Sequence, residues 1–185
     1  MAKTRFLFGF IFSLILFFGG FKYSLANQPV TLTLQSKVQK TYTQFIGVRE
    51  ATGQNDGVWV ERFLAYTKLK KGNPWCAAFV CYTLGINGIE NPKSGYSPTL
   101  FPTKNLIYKT GWKDSKQPQI TDVFGIYFIN KKRIAHVGFI DEWKASSNYT
   151  LTVEGNTNEA GSREGDGVYR KRRLKSQIYA ISRYI

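Results

Sequence analysis

Apolar residues recur at helical spacing in the first half of the chain and then give way to the β-branched and aromatic runs of strands. Between Ser36 and Glu50, the residues Val38, Tyr42, Phe45, Ile46 and Arg49 share one helical face, which predicts a first amphipathic helix ending near Gly53. Asp56-Gly57 opens a second helix, with Trp59, Val60, Phe63, Leu64 and Leu69 as its buried side. The loop from Lys70 to Asn73 leads into a third. There Asn73 suits the N-cap and Pro74 the first helical position, and the small apolar run beginning at Cys76 continues through Tyr82 and Leu84 to a stop at Asn87-Gly88.

Residues 89 to 121 break this rhythm with Pro92, Gly95, Pro98, Pro102, Gly111 and Pro118, so irregular structure with short helical pieces is predicted. Tyr96, Phe101, Tyr108 and Trp112 persist through the segment, the pattern of a loop pinned to the core near a groove. After Asp122 the pattern is β. Val123 to Ile129, a turn at Asn130 to Arg133 and Ile134 to Ile140 read as a hairpin, with further strands at Tyr149 to Val153, Gly167 to Arg173 and Ile178 to Tyr184. Helices followed by consecutive strands predict an α+β domain with N-terminal helices on a central antiparallel β-sheet. No internal repeat is present.

The N-terminus is read separately. Lys3 and Arg5 precede an apolar block from Phe6 to Phe18, and Ser24-Leu25-Ala26 offers the small residues of a signal-peptidase site. Residues 1–26 therefore read as an export signal and 27–47 as a lead-in with the start of the first helix. Residues 48–185 form the main domain. The apolar block is shorter than the ~20 residues of a spanning helix, and an uncleaved signal would be the chain's membrane contact. With 26 Lys and Arg against 12 Asp and Glu, the net charge is +14, which suits anionic surfaces such as wall polymers, phospholipid headgroups or nucleic acid. The dense clusters Lys131-Lys132-Arg133 and Arg170-Lys171-Arg172-Arg173 read as solvated faces at turns or strand ends.

Two cysteines in an exported chain raise the question of a disulfide. Five positions apart on one helix, Cys76 and Cys81 point about 140° away from each other and do not suit a bridge. Cys81, between Val80 and Leu84, reads as core filler. Cys76 is different. In the first turn of its helix, free backbone N–H groups and the positive end of the helix dipole favour the thiolate, the nucleophilic form.

A nucleophilic thiolate is paired with a base, and the chain holds one histidine, His136. The third strand ends in Val153-Glu154-Gly155-Asn156, so Glu154 or Asn156 could reach the ring nitrogen turned away from Cys76. A carboxylate stabilises an imidazolium better than an amide does, which favours Glu154. One histidine and two divergent cysteines make a poor zinc site, and no metal or other cofactor is expected. Gly95-Tyr96-Ser97-Pro98-Thr99 falls one glycine short of a nucleophile elbow and follows no strand; Gly165-Asp166-Gly167 reads as a turn rather than a phosphate loop.

The runs Gly72-Asn73-Pro74-Trp75-Cys76-Ala77-Ala78-Phe79-Val80, Ala135-His136-Val137-Gly138 and Val153-Glu154-Gly155-Asn156-Thr157 resemble the CHAP family, the cysteine, histidine-dependent amidohydrolases and peptidases. The similarity extends from about Val48 to the C-terminus. It implies a papain-like α+β fold and cleavage of an amide bond in bacterial peptidoglycan, as an endopeptidase or an N-acetylmuramoyl-L-alanine amidase. It further implies Cys76 as nucleophile, His136 as base, Glu154 as its orienter and Asn156 as a further polar site residue. The expected setting is periplasmic or extracellular, with peptidoglycan as partner, no specific nucleic acid, and the protein a monomer. Many members carry Gln or Glu before the nucleophile, whereas this chain has Trp75, so the oxyanion-hole donor beside the Cys76 N–H is unassigned. The competing expectation is a non-catalytic exported basic protein that holds wall polymer or nucleic acid through aromatic and cationic side chains.

Overall fold

A computed structural model describes residues 32–160 and 165–185. The export signal read at residues 1–26 lies outside them. The first helix, α1, spans Leu34–Gln44, with the Thr33 hydroxyl accepting a hydrogen bond from Ser36 N–H at its start. It stops well before Glu50. Gly47 turns the chain at φ +96°, and residues 47–50 run extended along Val168 and Asp166, with Gly47 N–H donating to Val168 O (3.1 Å) and Glu50 N–H to Asp166 O (2.7 Å). The open edge of a strand thus satisfies backbone groups that another helical turn would have satisfied. Ile46 consequently faces solvent, and Arg49 lays its guanidinium over the Tyr169 ring at 3.9 Å.

Helix α2, Val58–Tyr66, buries Val60, Phe63 and Leu64 as its pattern predicts, but Trp59 is more than a third exposed and Leu69 sits beyond the helix at the core margin. Helix α3, Cys76–Ile86, is of another kind. Every side chain from Cys76 to Cys81 is buried, so its sequence shows no polar face and the helix is the centre of the main core. Its N-cap is Trp75, not Asn73, whose amide donates instead to Lys70 O at 2.9 Å. The reason lies in the Trp75 indole, which is wholly buried, stacks on Phe63 and donates to Glu50 Oε1 at 2.8 Å. Seating that ring holds the Trp75 backbone outside helical geometry and places Pro74 ahead of the helix.

Six strands form one antiparallel sheet: β1 (Leu106–Lys109), β2 (Val123–Phe128), β3 (Arg133–Trp143), β4 (Tyr149–Thr157), β5 (Gly167–Leu174) and β6 (Ala180–Ser182), in the order β1-β6-β2-β3-β4-β5. The domain is therefore α+β on an antiparallel sheet. Strand β1 lies in the segment expected to be irregular, and its partner is β6 at the far end of the sequence. Short 3₁₀ turns at Ser97–Leu100 and Thr103–Asn105 supply the helical pieces of that segment. Its aromatics divide: Phe101 and Tyr108 pack against the body, while Tyr96 and Trp112 are exposed at 53% and 45% rather than pinned to the core. Strand β4 runs past its expected end at Val153, which brings Glu154 and Asn156 inside the sheet.

Val137, Phe139 and Val153 on one sheet face join the helices in the main core, and Phe124, Ile140 and Ile181 join Ile107 and Ile178 in a smaller cluster. Close approach of α3 to β4 depends on Gly155, where a Cβ would lie 2.7 Å from Trp75 Cζ3 and 2.9 Å from Phe79 Cβ. Neither neighbour is the free end of a flexible chain. Gly155→Ala is expected to destabilise the domain by about 1–3 kcal/mol, the range for overpacking a filled core, read as a lower urea midpoint at unchanged slope.

Candidate active site

Because α3 starts at Cys76, the thiol sits on the first helical residue, where backbone N–H groups have no partner within the helix. The side chain is only 4% exposed, and its surface opens on a cleft of about 390 Å³. Cys76 Sγ lies 3.7 Å from the hydroxyl of Ser97, which the 3₁₀ turn Ser97–Leu100 buries against it. The segment around Ser97 is thus no nucleophile elbow; it supports the thiol.

His136 lies within β3, paired with Ile126 of β2, and its ring meets Phe124 edge-on at 6.5 Å. Its Nε2 is 2.7 Å from Glu154 Oε2, and both side chains are buried. With Nε2 occupied by Glu154, Nδ1 is the buried ring nitrogen left to face Cys76. Gly138 makes the His–Glu contact possible. A Cβ there would stand 2.7 Å from Val153 O and 2.9 Å from Glu154 Cγ, in the space the carboxylate side chain uses to cross from β4 to β3.

The Glu154 carboxylate is fully removed from solvent and takes four donor contacts. Oε2 meets His136 Nε2 and Arg173 Nη2 (2.6 Å), and Oε1 accepts from Arg173 Nε (2.8 Å) and the Thr152 hydroxyl (2.5 Å). Arg173 corrects the reading of its cluster as a solvated face. Residues 170–173 lie on β5 rather than at a turn, and while Arg172 points out and Arg170 pairs with Asp141 (2.8 Å), Arg173 is buried at 8% exposure. The signal that could have found it is the need of a buried carboxylate for a cation.

The charges follow from this packing. Burial pushes the Glu154 carboxyl up, but the hydrogen bonds of Arg173 and His136 outweigh it and hold the group at about 2. For Cys76, burial opposes the thiolate, and the hydrogen bonding and charge of His136, with the Ser97 hydroxyl, bring the thiol below its ordinary range. Burial likewise opposes charge on His136, and the bonds and charges of Cys76 and Glu154 raise it well above the usual imidazole value. Both shifts favour the thiolate–imidazolium form of the pair. Cys81, on the same helix, goes the other way: burial pushes it up to about 11, with its sulfur against Ser94 O.

Asn156 takes a different place from Glu154. Held at φ +55° and buried, its amide oxygen accepts from the Trp75 backbone N–H at 3.2 Å, and its amide nitrogen donates to Gly165 O at 2.9 Å and Asn55 Oδ1 at 3.2 Å. It therefore bonds to the residue before Cys76 and ties α3 to β4, with no hydrogen bond to the imidazole. Together with the indole of Trp75 on Glu50, it fixes the start of the helix at Cys76. Among the described residues, no group of three or more His, Cys, Asp or Glu is arranged to hold a metal ion.

Neither family models, curated proteins nor solved structures give a match to this chain.

Two outcomes are expected from this geometry. Alkylation by iodoacetamide should modify Cys76 with a midpoint below pH 9 and leave Cys81 unmodified at neutral pH, as mapped by peptide mass analysis. Arg173→Met should cost about 3–5 kcal/mol in urea unfolding by leaving a buried carboxylate unpaired, and pairing it with Glu154→Gln should recover part of that loss in a double-mutant cycle.

Proposed function

We propose that this protein is an exported bacterial peptidoglycan hydrolase that cleaves an amide bond of the wall peptide by cysteine catalysis, on a papain-like fold of the CHAP type. The observation that carries the reading is the buried hydrogen-bonded chain His136–Glu154–Arg173, with the Cys76 thiol interacting with its imidazole and opening on a cleft. A carboxylate wholly enclosed by donors, one of them the sole histidine, is costly to build for packing alone. The net charge of +14 fits a protein that works on an anionic polymer.

In the proposed reaction, the Cys76 thiolate attacks the amide carbonyl and forms the C–S bond while the carbonyl electrons move onto oxygen, which the Cys76 N–H at the start of α3 stabilises. Collapse breaks the C–N bond as His136 Nδ1–H protonates the departing amine. A water then gives its proton to Nδ1 and attacks the thioester, releasing the carboxylate product and restoring the thiolate. Glu154 stays ionised throughout, because Arg173 and Thr152 hold it as an anion. Its part is to fix the imidazole and favour its charged form.

Release of new amino groups from purified peptidoglycan tests the proposal. Cys76→Ala and His136→Ala should each lower the rate by at least about 10³-fold. Full activity in both would refute the assigned site, and salt-sensitive wall or nucleic-acid binding with no hydrolysis would favour the binding-protein alternative. The pH profile carries a sign as well. Activity requires the ion pair, so it should rise through the lowered Cys76 titration and fall as the raised His136 loses its proton. Glu154→Gln removes one cause of the raised value, and the alkaline limb of kcat/KM should move to lower pH.

A further inference from the structure

Charge is sorted along the surface beside the nucleophile. The cleft onto which Cys76 opens carries Lys93 and Arg133 in its wall, with the exposed ring of Tyr96, and no described acidic residue lines it. Across Pro74, which lines both, the neighbouring cleft of about 750 Å³ carries Glu50, Glu159 and Asp166, and no described Lys or Arg lines it. A chain with a large excess of base could easily have surrounded the thiol with both signs.

The two cations are also available. Arg133 stands at the start of β3, three positions before His136, and lines the cleft together with Ala135; its guanidinium lies 5.0 Å from the centre of the Tyr96 ring and lends one N–H to Ile134 O at 3.0 Å. Lys93 is exposed in the loop before Ser97, its ammonium 6.0 Å from the Tyr66 ring. Neither forms an ion pair with a described residue. Stacking on Tyr96 keeps the planar guanidinium oriented while its remaining donors stay free for a planar acceptor. A fork of this kind fits a carboxylate, and a nearby lysine adds charge without demanding geometry.

Resting on the hydrolase reading above, we propose that Arg133 and Lys93 are specificity-determining residues that bind a free carboxylate of the peptide next to the amide cut by Cys76. The substrate class is then a wall peptide with an uncapped carboxyl group beside the scissile bond, as against one in which that group is an amide.

The experiment compares iodoacetate, which carries a carboxylate, with neutral iodoacetamide as alkylating agents of Cys76 in the full chain, following the modified peptide by mass. The ratio of the two rates reads the cleft's affinity for a carboxylate without calling on hydrolysis. Arg133→Gln with Lys93→Gln should lower that ratio about 3- to 10-fold at low salt and leave the iodoacetamide rate unchanged, which also reports that the thiol and fold are intact. Lys40→Gln, on the exposed side of α1, should change neither rate. An unchanged ratio in the double variant overturns the proposal while leaving the hydrolase reading standing. A Cys76 that neither reagent modifies overturns both. Where peptides are hydrolysed, the double variant should raise KM for the carboxylate form over its carboxamide counterpart, with kcat little altered.

Discussion

A carboxylate without access to water sets the terms for this structure. Taking a charged group out of water costs several kcal/mol unless its lone pairs are filled by donors and its charge is met. Glu154 solves this with Arg173 from β5, Thr152 from its own strand and His136 from β3, so three neighbouring strands must hold register for the charge to be tolerated. The sheet order is thereby tied to the site. A slip of one residue in β5 would carry Arg173 to the other face and leave Glu154 buried without its counter-charge.

The second constraint is how close a helix N-terminus can come to that sheet. Helix α3 is apolar all round and starts with Cys76-Ala77-Ala78, and it meets a strand that offers Gly155 beneath Trp75 and Phe79. Small residues on both sides allow the approach, and Trp75 fixes it. Its indole is held by Glu50 and its backbone N–H by Asn156, one from the extended stretch after α1 and the other from β4. Cys76 is thus positioned by the residue in front of it, whose own side chain is buried and does not line the cleft.

Much of this was readable beforehand. The apolar run after Cys76 marks a buried helix, the β-branched segments after Asp122 mark the sheet, and a sole histidine leaves one base for the thiol. What escaped reading was non-local. Asn73-Pro74 carries the local chemistry of a helix start, yet the burial of Trp75 overrides it, since a wholly buried indole outweighs one capping bond. Strand β1 has too few residues to show a period, and its hydrogen bonds come from β6. Arg173 lay hidden in a run of like charges. Composition alone favours solvent for such a run, and only the alternation of a strand beside a buried glutamate turns one of its members inward. Ser97 lay between prolines, where nothing nearby in sequence points to Cys76.

The same accounting of charge explains why one helix carries two thiols of opposite character. Glu154 and Arg173 cancel, so the cluster is electrically closed before Cys76 and His136 are considered. Moving a proton from Cys76 to His136 then adds one negative and one positive charge side by side, and the buried cluster remains neutral in both states. That makes the ion pair accessible despite full burial. Cys81 has no such partner: burial pushes its thiol up, and the backbone contacts at Ser94 and Lys93 offset that only in part. Helix position contributes, since Cys76 sits at the positive end and Cys81 at the middle, but the dipole is worth only about 1 kcal/mol near a terminus. The larger difference is the enclosed counter-charge. Reactivity at Cys76 is therefore a property of four residues on one helix and three strands, and it depends on the sheet that holds them in register.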